Sequence, residues 1–357
     1  MLFWKSIACF VLSRESTIVR PKTKIFSSTS TDQVTAESKY NKLVEWLKSN
    51  DAEINEKIDI RPSDRGGGFG AFVTESVAED ELLFTVPRTA CLTLEEATGD
   101  PNCGEAFTKL IEKAGPGGNT VVMAGFMAKQ YLLVMEDEKN GKESDNKWAP
   151  YFQTLPWERG MNNQEHILFW SEDMIESLLK GSLCYGEATS LRSEVDFAIK
   201  IMNGIVGNSI RVYRGEEVDE GFTWPWEPKP PAPEGPSEGL PEAIKGAFVC
   251  LLTRSFQDGD GEGEEEKLVP MLDMLQHCDT PNVRHAMRKT DGTVEVRARC
   301  TIQAGEELLN QYRSEEEESM PYSRFFTRFG FVPGIMEPIE NLLKDKSSIF
   351  YPSVAEV

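Results

Sequence analysis

No Cys-x-x-Cys pair occurs among the seven cysteines, Cys9, Cys91, Cys103, Cys184, Cys250, Cys278 and Cys300. An odd, scattered set excludes a zinc knuckle and a disulfide framework, and it reads as free thiols in a reducing compartment. Basic residues are outnumbered: 38 Lys and Arg stand against 59 Asp and Glu, a formal net charge of −21. Such a chain repels phosphates and anionic lipid, which argues against nucleic acid and membrane surfaces as partners. Long apolar runs are missing as well. Leu2 to Leu12 is interrupted by Lys5 and is too short to span a bilayer. No G-x-y, heptad or 20–50-residue period is present, which excludes collagen, coiled-coil and solenoid architectures.

What is present suits a folded, soluble protein. The 357 residues include 39% hydrophobic side chains, ample for one large core or two ordinary ones. Residues 1–31 differ from the rest: Lys5, Arg14, Arg20, Lys22 and Lys24 face one acid, Glu15, among many Ser and Thr. That composition predicts a cleaved targeting segment, with a plastid or mitochondrion as the destination; without it the chain is cytoplasmic.

Tyr40, Leu43, Val44 and Leu47 follow the i, i+3, i+4, i+7 spacing of an amphipathic helix. After the glycine-rich Asp64 to Gly70 the pattern turns to strand, turn, strand, through Ala71–Val73, Glu79–Glu81 and Leu82–Pro87. From about 119 to 215 helical spacing dominates, with Val121, Ala124, Ala128, Leu132 and Met135 on one face; Ile167–Leu179 and Val195–Ile205 are similar. Seven prolines in 225–241 mark a loop, Ile244 to Ser255 resumes helical spacing, and Asp258–Glu266 is an acidic loop. Val283–Arg288 and Thr293–Ala298 flank Asp291-Gly292, a hairpin signal. The order β, helical block, β predicts an α+β fold whose sheet is split by an insertion.

Gly66-Gly-Gly-Phe-Gly70 invites a dinucleotide-binding reading, but a β-like segment follows where a helix N-terminus is needed. A plain glycine turn and a loop that lets backbone approach a ligand both remain open. The acidic loop starts like an EF-hand, with Asp258, Asp260, Glu262 and Gly263, yet its twelfth position is Val269, so calcium is excluded. His277-Cys278 makes a poor nucleophile–base pair because adjacent side chains point apart, and adding His285 does not complete a zinc site. More telling is Leu268-Val-Pro-Met-Leu-Asp273-Met-Leu-Gln276-His277, where a carboxylate and a histidine lie four apart in an apolar run. Burying them is costly unless they bind something or one another.

That stretch, with Phe248-Val-Cys-Leu-Leu-Thr-Arg254-Ser255, Gly305-Glu-Glu-Leu-Leu-Asn-Gln-Tyr312 and Phe329-Gly-Phe-Val332, resembles the SET-domain protein methyltransferases. The subgroup is that of the Rubisco large-subunit lysine methyltransferase and the actin-histidine methyltransferase. Lys147-Trp-Ala-Pro-Tyr-Phe-Gln-Thr-Leu-Pro156 and His166-Ile-Leu-Phe-Trp170 through Leu178-Leu-Lys-Gly181 extend the likeness, which covers about 60 to 334. The resemblance implies a SET domain over 32–334, with β-rich halves at 60–100 and 245–334, a helical insert at 101–244, a knot-like crossing and a tail at 335–357. It implies S-adenosylmethionine as cofactor, held by Gly68, Phe69 and Gly70 (the family's G-x-G), by Arg254 facing its carboxylate, and by Asp273, Gln276 and His277 on the family's D-x-x-N-H. Tyr312 matches the active-site tyrosine and, with Phe329, lines the substrate channel. The implied partner is a protein or peptide offering lysine, or else histidine, to a monomeric enzyme without a metal.

This sequence departs from the family at several points. Gln276 replaces Asn and moves the amide by over an ångström, and Phe329 replaces a Tyr, deleting a hydroxyl from the channel. Glu315 to Glu318 are extra acids, and Tyr322 stands where Asn is frequent. Only 25 residues follow Val332, so the family's C-terminal helical substrate-binding domain is expected to be absent or truncated. The reading that follows is a protein-lysine N-methyltransferase on a non-histone substrate. Its alternatives are a histidine methyltransferase and a catalytically degenerate peptide-binding module.

Overall fold

The computed structural model describes residues 30–63, 65, 68–115, 117–157, 166–215, 237–258, 265–312 and 322–330. Most of the stretch expected to be a targeting segment (residues 1–29 of 1–31), Gly66 and Gly67, most of the proline-rich stretch, the middle of the acidic loop, Glu315 to Glu318 and the tail from 331 lie outside them. Helical spacing at Tyr40, Leu43 and Leu47 produces helix α1 (Ser30–Ser49), with Leu43 and Leu47 buried and Trp46 packed 5.7 Å from the ring of Trp148.

Two expected strands form, β2 (Phe69–Val73) and β3 (Leu82–Val86), with the chain reversing at Asp80 (φ +67°). They do not pair with each other. β2 runs antiparallel to β1 (Ile58–Pro62), which the sequence pattern missed, while β3 is the first strand of an antiparallel sheet β3–β8–β7. Here β7 (Val283–Met287) and β8 (Val294–Ala298) are the hairpin turning at Gly292, whose φ of +71° meets the need for a left-handed residue. Residues from the two ends of the chain thus complete one sheet. A further hairpin, β4 (Ser255–Asp258) with β5 (Glu265–Leu268), brackets the acidic loop. Its charged sequence carries little strand signal, and pairing decides it.

Between the β regions the chain is helical: α2 (Leu94–Thr98), α3 (Gly104–Ala114), α4 (Gly117–Lys139), α5 (Ala149–Phe152), α6 (Glu172–Leu179), α7 (Leu183–Ile205), α8 (Gly207–Tyr213) and α9 (Leu240–Arg254). Helices therefore begin at 94, earlier than the 101 boundary. On α4 the side chains of Val121, Ala124, Ala128 and Leu132 are buried, whereas Met135 is exposed rather than part of that face. Ile167–Leu179 is not one helix: a 3-10 turn at Ile167–Phe169 precedes α6, whose first turn is capped by Ser171 Oγ accepting from Met174 N at 3.2 Å. Helix α9 starts inside the proline-rich stretch, with Pro241 in its first turn, where a missing N–H costs nothing. It packs along α4 and passes under Trp157 so closely that a Cβ on Gly246 would sit 2.4 Å from the Trp157 carbonyl oxygen. That contact sets the height of α9, and with it Arg254 at the helix end.

The last described helix, α10 (Tyr322–Phe329), is held against this block by Phe326, which packs in a cluster with Ile167, Trp170, Cys184 and Ala188. An adjacent face carries Phe325 and Phe329, which form a separate cluster. His166 bridges the two elements. Its Nδ1 accepts from Leu168 N at 3.3 Å, and its Nε2 lies 3.2 Å from the Arg328 carbonyl oxygen. Only the neutral ring protonated on Nε2 satisfies both contacts. Burial pushes the imidazole down to about 4, against the smaller upward pull of the Arg328 and Thr327 carbonyls. A folded value below the unfolded one means stability that is present above about pH 6.5 and lost as pH falls through about 4. The protein is expected to lose up to about 3 kcal/mol more than a His166→Gln variant between pH 7 and pH 4. Urea denaturation across that range measures it, and parallel curves would show that His166 does not carry the acid sensitivity.

Candidate active site

The site grows from the end of α9. Arg254 points into the interior, where its Nη1 donates to the Asp273 carbonyl at 2.8 Å and lies 3.6 Å from Asp273 Oδ2. Its Nε is buried and has no hydrogen-bond partner among the described residues. Asp273 is held by a 3-10 turn, Leu272–Met274, entered through Met271 in a left-handed conformation (φ +73°) that side chains rarely adopt. Tyr151 on α5 donates to Asp273 Oδ2 at 2.8 Å. Burial raises the Asp273 carboxyl, opposed by the Arg254 charge and by the Tyr151 hydroxyl. Cys250, one turn before Arg254, is pushed up to about 12 by burial, so it stays a thiol and is no nucleophile.

Directly after the turn the chain enters β6 (Gln276–His277), which runs parallel to β9 (Leu309–Asn310). Asn282 fixes this pair: its Nδ2 donates to the Glu307 carbonyl at 2.8 Å, and its Oδ1 accepts from Leu309 N at 2.7 Å. The register brings Tyr312 N to 3.3 Å from His277 Nδ1, and the rings lie 5.2 Å apart. His277 Nε2 lies 3.3 Å from Asp279 Oδ1. Tyr312 Oη donates to the Leu275 carbonyl at 2.9 Å. Burial holds the phenol well above its usual range, more than the Arg254 charge lowers it, so the hydroxyl stays protonated. Phe325 and Phe329 stand 4.6 Å apart, with Phe329 5.4 Å from Tyr312, forming an aromatic wall without a second hydroxyl.

The glycines divide their roles. Gly68 has φ +86° and open space where a Cβ would stand, as a close backbone approach requires. Gly70 is different, because a Cβ there would lie 2.1 Å from Glu307 Oε1. Its missing side chain leaves room for the Glu307 carboxylate of this same chain. Gln276 reaches back to the loop, its Nε2 donating to the Phe69 carbonyl at 3.2 Å and to that of Met274 at 3.4 Å. The longer amide is thus spent on holding Phe69 in place.

Sequence reasoning singled out Arg254, Asp273, Gln276, His277, Tyr312 and Phe329; Arg254, Gln276 and Tyr312 bond residues of the Asp273–His277 run, and Phe329 packs on Tyr312. It missed Tyr151, noticed only within a motif, and Asn282, which has no neighbouring signal. It also missed Tyr40, whose ring stacks on Phe69 with centroids 4.4 Å apart and planes at 28°. Among the described residues no group of three or more His, Cys, Asp or Glu is placed to hold a metal ion. Nor is any helix among them long and apolar enough to cross a membrane.

Known proteins resemble this chain in sequence and fold. The SET domain profile matches residues 68–313. The N-lysine methyltransferase setd6 of Xenopus laevis is 24% identical over 277 residues, 75% of this chain and 52% of the relative. The ribosomal lysine N-methyltransferase 4 of Saccharomyces cerevisiae is 22% identical over 306 residues, 80% of this chain and 54% of the relative. The chain therefore spans about half the length of the curated relatives it matches. Among solved structures, Rubisco LSMT bound to AdoMet superposes with a TM-score of 0.57 at 17% identity, covering 85% of this chain and 57% of that one. The SET domain of LSMT bound to lysine and AdoHcy gives 0.57 at 14%, with 83% and 57% coverage. At such identities the superpositions speak for the fold.

Removing the Tyr151 hydroxyl strips a donor from a buried carboxylate. Tyr151→Phe is expected to lower stability by about 1–3 kcal/mol with the fold retained. Urea denaturation at neutral pH reads it, and an unchanged midpoint would mean that Asp273 does not depend on that bond.

Proposed function

The chain belongs to the SET-domain family, and on that premise we propose that it is an S-adenosylmethionine-dependent protein-lysine N-methyltransferase acting on a non-histone protein. The observation that carries the proposal is Arg254: a buried guanidinium whose Nε lacks an acceptor among the described residues. A buried unpaired donor is costly, and a carboxylate-bearing ligand relieves it. Gly68, Phe69, Arg254, Asp273, Gln276 and His277 are the residues that would hold the cofactor. When bound, S-adenosylmethionine supplies a methyl group made electrophilic by its sulfonium.

The rest of the work falls to the protein. The lysine nitrogen must arrive neutral, because its lone pair forms the new N–C bond while the C–S bond breaks and its electrons return to sulfur. A channel of Tyr312, Phe325 and Phe329 disfavours the ammonium form by desolvation. Tyr312, protonated and aimed by the Leu275 carbonyl, acts as a fixed dipole and not as a base. The positive charge passes to the product nitrogen, which gives up a proton to solvent, and no covalent enzyme intermediate is required. Alignment and desolvation supply the rate.

Lysine is favoured over histidine by the names of the relatives, and by an apolar wall suited to a butyl stem. A non-histone substrate is supported by the relatives' titles, which name the ribosome and Rubisco. A plastid or mitochondrial site of action joins the proposal on the composition of residues 1–31. One observation favours the second reading, a module that binds without turnover: both Gln276 donor contacts go to carbonyls of its own chain.

Calorimetric titration with S-adenosylmethionine, followed by labelled-methyl transfer into protein extracts and mass spectrometry of the modified residue, separates the readings. Tyr312→Phe is expected to cut methyl transfer about a hundredfold while leaving cofactor affinity within about twofold; equal loss of both would remove its role in the transition state. Gln276→Asn, too short to hold the Phe69 carbonyl, is expected to weaken cofactor binding about three- to tenfold. Unchanged or tighter binding would show that the amide serves the ligand directly.

A further inference from the structure

The helical block delivers one polar side chain to the Arg254 cluster. Tyr151, on α5, is fully buried, and its Oη donates to Asp273 Oδ2 at 2.8 Å, a contact that spans 122 residues of chain. A phenol at the end of a ring clamped by packing can hold its acceptor in only one direction. That same Oδ2 stands 3.6 Å from Arg254 Nη1, beyond hydrogen-bond reach, while Nη1 spends its hydrogen bond on the Asp273 carbonyl at 2.8 Å. A carboxylate beside a guanidinium ordinarily closes on it as a bidentate pair. Here it does not, and Arg254 Nε remains buried without a partner among the described residues.

We propose that Tyr151 is a positioning residue for the cofactor site. By retaining Asp273 Oδ2 it keeps the carboxylate from pairing side-on with Arg254, so the Nε side of the guanidinium stays available to the carboxylate of the ligand. The inference rests on the methyltransferase reading, since that reading supplies the ligand's carboxylate. Two distance dependences make the arrangement work. Coulomb attraction falls only as the inverse of distance, so Asp273 at 3.6 Å still compensates the buried charge, whereas a hydrogen bond is lost at that separation. The internal carboxylate therefore stabilises the guanidinium without consuming the donors that a ligand needs. Without the phenol, Asp273 is free to turn onto Arg254 and compete with the ligand for the same fork.

The test compares S-adenosylhomocysteine with decarboxylated S-adenosylhomocysteine, which keeps the nucleoside, the sulfur and the amine and lacks only the carboxylate. Tyr151→Phe keeps the ring and removes only the hydroxyl. Calorimetric titration of the full chain is expected to show about tenfold weaker binding of S-adenosylhomocysteine to Tyr151→Phe, with binding of the decarboxylated ligand unchanged. A purely structural role for Tyr151 does not distinguish the two ligands, so equal loss for both would overturn the proposal. Wild-type affinity for S-adenosylhomocysteine in the variant would overturn it as well. So would a wild-type protein that binds both ligands equally, because no carboxylate then reaches Arg254. A wild-type protein that binds neither S-adenosylmethionine nor S-adenosylhomocysteine would instead overturn the methyltransferase reading, and this inference with it. A variant that unfolds is replaced by Tyr151→Met, which fills the space of the ring with a flexible thioether and carries no donor; the same contrast between the two ligands then decides.

Discussion

Arg254 carries a permanent charge into the protein interior, and much of the site is arranged around that charge. A guanidinium is not neutralised by burial as a lysine or a carboxyl can be, so its surroundings have to compensate it. Asp273 does so through its carboxylate and its carbonyl, and Tyr151 in turn steadies the carboxylate. The strained backbone at Met271 is tolerated because the turn it opens holds Asp273 where the charge requires it. Compensation is left incomplete at Nε, and that unpaired atom gives the cluster a capacity for a ligand beyond its part in holding the fold together.

A second constraint comes from the parallel pair β6–β9. Two residues on each side are too few to be stable alone, and the amide of Asn282 substitutes for a longer ladder by bonding the backbone of β9 at Leu309 and of Glu307 just before it. Through that pair the Arg254–Asp273 cluster is tied to Tyr312, so charge compensation and the Tyr312 hydroxyl share one frame. Glu307, two residues before β9, is seated against Gly70 and bridges to Phe72 of β2. At Gly70 the absent side chain leaves room for that carboxylate between the two halves of the chain, while Gly68, two residues earlier, has open space beside its backbone.

Residues supporting the site from outside do so by shape. Gly246 lets α9 run beneath Trp157, which sets where Arg254 ends up. His166 joins the 3-10 turn to α10 and thereby places Phe329 against Tyr312. Tyr40 arrives from a helix that precedes the domain altogether. Each lies far in sequence from the groups it positions, and each acts through one or two contacts.

The division between sequence and structure follows the range of the forces involved. Periodicity, turn chemistry and the cost of burying polar groups are local, so the β–helix–β order, the Gly292 hairpin and the unusual Asp273–His277 run were legible in the sequence alone. The family's motifs extended that reading to Arg254, Tyr312 and Phe329. Pairings at long separation leave no local trace. Tyr151 meets Asp273 across 122 residues, and Gln276 meets Phe69 across 207. The charged β4–β5 hairpin, the break before α6 and the true neighbour of Gly70 were likewise decided only when distant segments packed together. The sequence determined which residues are able to do the chemistry; tertiary packing decided which of them meet, because a hydrogen bond or a stacked ring needs its partner within a few ångströms and the chain spaces those partners hundreds of residues apart.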